Sequence, residues 1–312
     1  MNRYLPEGNY IATSENREYI TSIAGLERGM REGKILEAMA LMCDGEMNLT
    51  VDLCGVKGVM PREEIAYFPD GSAVKDIAVI TRVGKPICFK VIGFGRDGDG
   101  RNVAFLSRRA AQIECMNSFL MDLIPGDVIG ARVTHMEQFG AFVDIGCGII
   151  SLLSVDCISV SRISHPKDRF KVGMPIRAVI KSIDRETGRI YVTHKELLGT
   201  WAENAAMFSV GQTVAGVVRS IEDYGVFVEL TPNLAGLAES RDGVEVGQCA
   251  AVYVKNIVPE RMKVKLVIVD TQRNEIIPSE PNYLDGGILH MSRWEYSPPD
   301  CPKRIFSDFS RI

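Results

Sequence analysis

The stretch 126–195 limits what this chain can fold into more than any other. Val128 to Val133 is an apolar, β-branched run, and Phe139 to Ile145 alternates. Ile176 to Ile183 alternates again, and Arg189 to Thr193 follows the turn Glu186-Thr187-Gly188. Short strands at regular spacing, with Gly and Asp between them, predict a small closed β-barrel. Ala141, Val143 and Ile145 share one face of the second strand, and Phe142 and Asp144 share the other, because successive side chains point to opposite sides. A core needs only the first set. An aromatic on the face that also carries Asp144 is either packed at the rim or available as a stacking platform.

The strings FGAFVDIG, HP, KVG and IDRETGRI follow one another through this stretch. On these four motifs it resembles the S1 RNA-binding domain family. The resemblance implies a five-stranded oligonucleotide-binding barrel that takes single-stranded RNA on one face. The family's contacts are two aromatics of the FGAF segment, a histidine after the third strand, and an Asp and an Arg around the last turn. They fall here on Phe139, Phe142, Asp184 and Arg189, while Ser154 stands at the histidine position. That contact is therefore changed or lost. Arg177 and Lys181 add cations nearby.

The same strand order recurs on both sides. In residues 33–112, GKILEAMALMCDGEMNLTVDLCGVKGVMP aligns with the central GDVIGARV…FVDIG, and NVAFLSRRAAQ stands for the fifth strand. Met47 and Thr50 occupy the aromatic positions and Pro61 the histidine position, so this stacking face is dismantled. GVKGVMP and FLSRRA resemble the early, ribosome-proximal repeats of ribosomal protein S1. That implies protein contact, with the small ribosomal subunit as a partner through this repeat. Arg108 and Arg109 either touch phosphate or sit on a solvated rim. Residues 209–270 keep both rings as Tyr224 and Phe227. Lys263 replaces the arginine, Val258 the aspartate, and Glu239 the histidine. Glu229 shares the outward face of Phe227, so this rim reads as acidic and a weaker RNA binder than the central one.

The expectation is an all-β-dominated chain of three tandem barrels of oligonucleotide-binding type at 33–112, 126–195 and 209–270. Short helical connectors join them, with an N-terminal extension at 1–32 and a C-terminal one at 271–312. Ser14 is expected to cap one helix, with Tyr19, Ile20, Ile23 and Leu26 on one face, ended by Gly29 and Gly33 and lying across the first barrel. Trp201, in the second connector, is either packed between barrels or exposed for stacking. Ile288, Leu289, Trp294, Tyr296, Ile305, Phe306 and Phe309 make the C-terminal extension too apolar for a free tail. It packs back on the third barrel or binds a partner.

Composition narrows the function. Hydrophobic residues make up 46% of the 312, enough for several cores. The net charge of −4 is low for a dedicated polyanion binder, so any nucleic-acid site rests on a local stripe of cations. The eight cysteines form no CxxC pair or zinc spacing and read as small buried hydrophobes. With no signal peptide or membrane span in the sequence, a reduced, cytoplasmic location is expected. His135, His165, His194 and His290 stand in no pattern with a nucleophile and base, and GxxxxGK[ST] is absent. No enzyme, cofactor or metal is expected. The expected activity is binding of single-stranded RNA. A protein-docking scaffold, or an RNA-binding accessory of a degrading enzyme, are the alternatives.

Overall fold

The computed structural model describes residues 4–273 and 280–310. The N-terminal extension is two helices rather than one, α1 (Ser14–Ile20) and α2 (Ile23–Arg31). The caps are Thr13 and Ser22, whose side chains accept from Asn16 N and Gly25 N. The expected cap Ser14 is already inside the first helix. Ser22 breaks the pattern because its hydroxyl satisfies an amide that a continuous helix would bond to a carbonyl. A Cβ on Gly25 would stand 2.5 Å from Tyr19 O, so only glycine lets the second helix start this close to the first. Tyr19, Ile20 and Leu26 are buried against the first barrel.

The first barrel is β1 (Leu36–Cys43), β2 (Leu49–Leu53), β3 (Val56–Met60), β4 (Pro86–Arg96) and β5 (Asn102–Ser107). It is closed in the order β1-β2-β3-β5-β4, with a short helix α3 (Asp76–Ile80) before β4. The fifth strand stops sooner than the string NVAFLSRRAAQ suggests. Ser107 accepts from Ala110 N and caps α4 (Arg108–Ser118), so the arginine pair begins the connector.

The central barrel is β6 (Val128–Glu137), β7 (Gly140–Asp144), β8 (Ile150–Ser154), β9 (Pro175–Asp184) and β10 (Arg189–Thr193). A connector with the short helix α5 (Trp201–Ala205) follows. The third barrel is β11 (Thr213–Glu222), β12 (Gly225–Thr231), β13 (Leu234–Ala238), β14 (Cys249–Val258) and β15 (Lys263–Gln272). Each barrel closes through one parallel pair, β3–β5, β8–β10 and β13–β15. Each also carries an irregularity at the same place on its first strand, between Ala40 and Met42, Val133 and His135, and Val218 and Ser220. Such bulges supply the bend that closes a small barrel. The alternation from Phe139 to Ile145 predicted the inside correctly: Ala141, Val143 and Ile145 are buried.

The barrels are fastened to each other through outward-facing residues. Residues 4–13 run between the first two. The Glu7 carboxylate accepts from Arg108 Nε (2.6 Å), Arg108 Nη2 (3.0 Å) and Cys88 N (3.0 Å). Glu7 N donates to Asp144 (2.7 Å), and Arg108 also donates to Ile65 O and Gly148 O. Asp144 and Arg108 are therefore buried at a joint. Neither the solvated-rim nor the phosphate reading of Arg108 holds, because its guanidinium is buried and enclosed by four protein acceptors. Glu229 does not form the expected acidic rim either. It is buried, with Arg169 of the central barrel (2.5 Å) and Arg219 (2.9 Å) on its carboxylate, so its charge does not reach the outer face that carries Phe227. Asn233 completes this second joint by accepting from Val160 N and donating to the Lys195 and Gly199 carbonyls.

Trp201 is packed between barrels at 3% exposure. The C-terminal extension folds back on the central barrel as well as the third. Val128 N donates to Leu289 O, Trp201 N to Tyr296 O, and Tyr296 Oη to Asn233 O. β16 (Arg293–Glu295) and β17 (Phe306–Asp308) form a small hairpin. Trp294, Tyr296 and Phe309 share a core with the third barrel. Pro278 and Ser279 of the extension lie outside the described residues.

The first joint makes stability depend on pH. Burial, aided by the neighbouring Glu7 charge, pushes Asp144 up to about 7. Burial also raises Glu37 to about 7, against amide donors from Gly8, Tyr10 and Ile11. Burial opposes ionisation of Glu7 too, yet Arg108 and Arg82 hold it below the ordinary carboxylate value. Between the unfolded value, about 4 for a carboxyl, and about 7, the native state holds protons on Asp144 and Glu37 that the unfolded chain has released. Their contribution is full at low pH and lost as pH rises through 7. Glu7 runs the other way, and its contribution is lost only in acid. The melting temperature should fall between about pH 5.5 and about pH 8, and Glu37→Gln should flatten that fall. A thermal scan across this range in which the wild type melts at constant temperature, or higher at alkaline pH, refutes the assignment.

Candidate nucleic-acid interface

The FGAF segment is placed by close backbone approach. A Cβ on Gly140 would stand 2.6 Å from Leu153 O, so glycine lets β7 lie tightly on β8. Val155 N then ties down Phe139 O at 2.9 Å. This holds Phe139 at the end of the strand, 56% exposed, with Phe142 half-buried beside it. The rings meet edge to face, with centroids 6.0 Å apart and planes at 88°. In the third barrel Tyr224, 69% exposed, and Phe227 repeat this arrangement at 6.1 Å and 89°. Two barrels thus build one exposed aromatic corner from different residues.

The remaining candidates are spread unequally around this corner. Ser154 stands opposite Gly140, next to the rings. Asp184 and Arg189 face each other across the β9–β10 hairpin. Asp184 accepts from Thr187 Oγ1 (2.6 Å), Thr187 N and Glu186 N, and these bonds hold its carboxyl below the usual range. Its structural work is to shape the turn that presents Arg189. Lys181 Nζ lies 3.4 Å from Cys157 Sγ. Lys263 faces Val258 in the third barrel, where Arg189 faces Asp184 in the central one. Arg177 is not brought to the rings. It pairs with Gly130 near the far end of β6. Its guanidinium donates to Asp285 O and Ile288 O, and it lies 5.7 Å from the Tyr283 ring centre. The C-terminal extension thus occupies it.

Two rings that the motifs pass over stand in the same region. His135 is opposite Phe142, Phe142 opposite Leu152, and Leu152 opposite Tyr191. The His135 ring lies 6.0 Å from Phe142 at 28°, and its Nε2 is 2.7 Å from Glu137 Oε1. Tyr191 is 39% exposed. Alternation in Arg189–Thr193 already turns Tyr191 outward, but only the parallel pairing of β8 with β10 sets it in line with Phe142. The corresponding row is Ser220, Phe227, Leu237 and Lys265 in the third barrel. In the first it is Met42, Thr50, Val59 and Phe105.

The other histidines are structural. His165 Nδ1 accepts from Lys167 N at the HP turn. His194 is buried between Ile158 O and Tyr283 Oη, and burial lowers it to about 4, so it is neutral at pH 7. Among the described residues no group of His, Cys, Asp and Glu is arranged to hold a metal ion, and no helix is long and apolar enough to cross a membrane.

Comparison with known proteins adds the lineage. Residues 122–195 match the S1 RNA binding domain. Small ribosomal subunit protein bS1 of Staphylococcus aureus (strain COL) is 31% identical over 293 residues, covering 88% of this chain and 72% of the relative. The bS1 of Rhizobium meliloti is 28% identical, covering 72% of this chain and 41% of the longer relative. A multidomain protein with nucleic acid binding domains from Streptococcus pneumoniae covers 76% of this chain and 73% of its own at 14% identity, but its TM-score of 0.25 is too low to bear on the fold. A relative above 30% identity that spans 88% of this chain leaves one lineage for the array: the chain belongs to the ribosomal protein bS1 family.

Proposed function

We propose that this chain holds single-stranded RNA on the aromatic corner of its central barrel and acts in translation, at the small ribosomal subunit. The observation that carries this is the exposed, perpendicular Phe139–Phe142 pair, repeated by Tyr224 and Phe227. Unstacked bases offer flat faces, and rings held rigidly in solvent take them with little regard to sequence. Arg189, on the adjoining hairpin, supplies charge for the phosphates. Each barrel alone binds modestly. Barrels joined by buried ion pairs gain from the high effective concentration of the second site once the first is filled.

The first barrel supports a different contact. Its row of Met42, Thr50, Val59 and Phe105 carries no cation, Met42 is exposed, and so are Leu41 and Ile92 beside it. Such a face suits a protein surface better than a phosphate backbone, which fits a role for this barrel as the anchor to the subunit.

Filter binding of a labelled unstructured RNA, against a duplex of the same length, tests the reading. The single strand should bind more tightly, with a shallow salt dependence, because few cations per barrel neutralise phosphates at about −0.7 per contact. Equal retention of the two forms, or none, refutes it.

A further inference from the structure

The strand register of the central barrel extends its aromatic surface beyond the FGAF pair. His135, Phe142, Leu152 and Tyr191 face one another in sequence across β6, β7, β8 and β10. Neighbouring strands lie about 4.8 Å apart, so this row is roughly 14 Å long. Its two ends are rings, and Phe142 carries a third between them. The His135 side chain is 62% exposed, and Tyr191 is also open to solvent. Each strand of the row is fixed by the barrel, so the rings are held in place before any ligand arrives. The third barrel has serine and lysine at the two ends, and the first has methionine and phenylalanine with threonine in the Phe142 place. Three rings in one row belong to the central barrel alone among the three.

We propose that His135 and Tyr191 are base-stacking residues, and that a single strand of RNA crosses the central barrel from β6 to β10 rather than resting only on the corner made by Phe139 and Phe142. This rests on the RNA-binding reading above and deepens it. It assigns a footprint of several successive bases and names the rings at its ends. Leu152 lies between Phe142 and Tyr191 and gives a flat apolar floor. Arg189 is two positions before Tyr191 on the same outward face of β10, at the end where the strand leaves. Glu137, bonded to His135, lies at the opposite end and fixes the imidazole edge, leaving the face of the ring for a base. The chemistry recognised is that of any unpaired base, because every base has a flat face to stack, so the ligand class is single-stranded RNA of any sequence.

The test uses the full chain and an unstructured oligouridylate carrying a fluorescent adenine analogue at successive positions. Tyr191→Ala and His135→Ala should each weaken binding about fivefold or more, the loss of one stacked base. Each should also restore fluorescence at a different end of the bound segment, while Tyr191→Phe retains both affinity and quenching. Circular dichroism and melting temperature confirm that the variants are folded. If Tyr191→Ala and His135→Ala bind as the wild type does, while Phe142→Ala is weakened, the row is refuted and the RNA-binding reading stands. If the wild type itself fails to quench or retain the oligonucleotide, that reading falls as well.

Discussion

Replacing Phe139 and Phe142 together by alanine is expected to lower affinity for single-stranded RNA by at least about tenfold, with stacking worth roughly 1–3 kcal/mol per base. Phe139 is the more exposed ring and carries little of the core. Phe142 is half-buried, and its backbone is held by the β6 and β8 ladders whatever its side chain. Val143 and Ala141, on the inner face, are untouched. The variant should therefore fold, and the loss should be one of binding. The same change at Tyr224 and Phe227 should cost less. That barrel has Lys263 opposite Val258 in place of the Arg189–Asp184 pair, and Lys265 where the central barrel has Tyr191. Glu229 contributes nothing to this ranking, because Arg169 and Arg219 neutralise it inside the joint. Titration of both double variants against one RNA decides the matter. A folded Phe139→Ala/Phe142→Ala protein with unchanged affinity puts the platform elsewhere.

Arg108→Ala is expected to destabilise the joint between the first two barrels by about 3–5 kcal/mol, the usual result of removing one partner from a buried ion pair. The guanidinium is 5% exposed and meets both Glu7 oxygens, Ile65 O and Gly148 O. Without it, the Glu7 charge faces the buried Asp144 with only Arg82, 3.6 Å away, to offset it. Lysine should not rescue the variant, because one ammonium cannot reach four acceptors spread around a planar fork. The N-terminal strap should loosen first, since Glu7 is its anchor. Denaturant unfolding should show an early transition, and limited proteolysis should release residues before α1. A change within about 0.5 kcal/mol, the range of ordinary surface substitutions, would show that the pair does not hold the joint. Glu7→Gln combined with Arg108→Met should cost less than Arg108→Ala, because no charge is then left buried alone.

How far the sequence could be read follows from what a local pattern encodes. Alternation tells a side chain whether it faces into or away from its own barrel. It therefore gave Ala141, Val143 and Ile145 to the core, Phe142 to the outside, and the same strand order three times over. The Phe139–Phe142 pair belongs to that local grammar, whereas the bulges and the glycine that seats β7 on β8 emerged only from the strand pairing. Alternation says nothing about what lies beyond the outer face. Asp144, Glu229 and Arg108 all point outward from their strands or helix, and all are buried, because a neighbouring barrel or a strap from far along the chain covers them. The same holds for Arg177, whose place in the sequence suggested an RNA contact and whose donors the C-terminal extension takes. Tyr191 and His135 are the converse case. Each is outward on its own strand. His135 meets Phe142 across the local β6–β7 hairpin, but whether Tyr191 lines up with Phe142 depends on β10 pairing with β8, a contact between segments separated by the whole HP loop and β9. Residue periodicity determined the barrels. Tertiary pairing decided which outward residues are free to meet a ligand, because burial of an outer face is set by partners that are distant in sequence and leave no periodic trace.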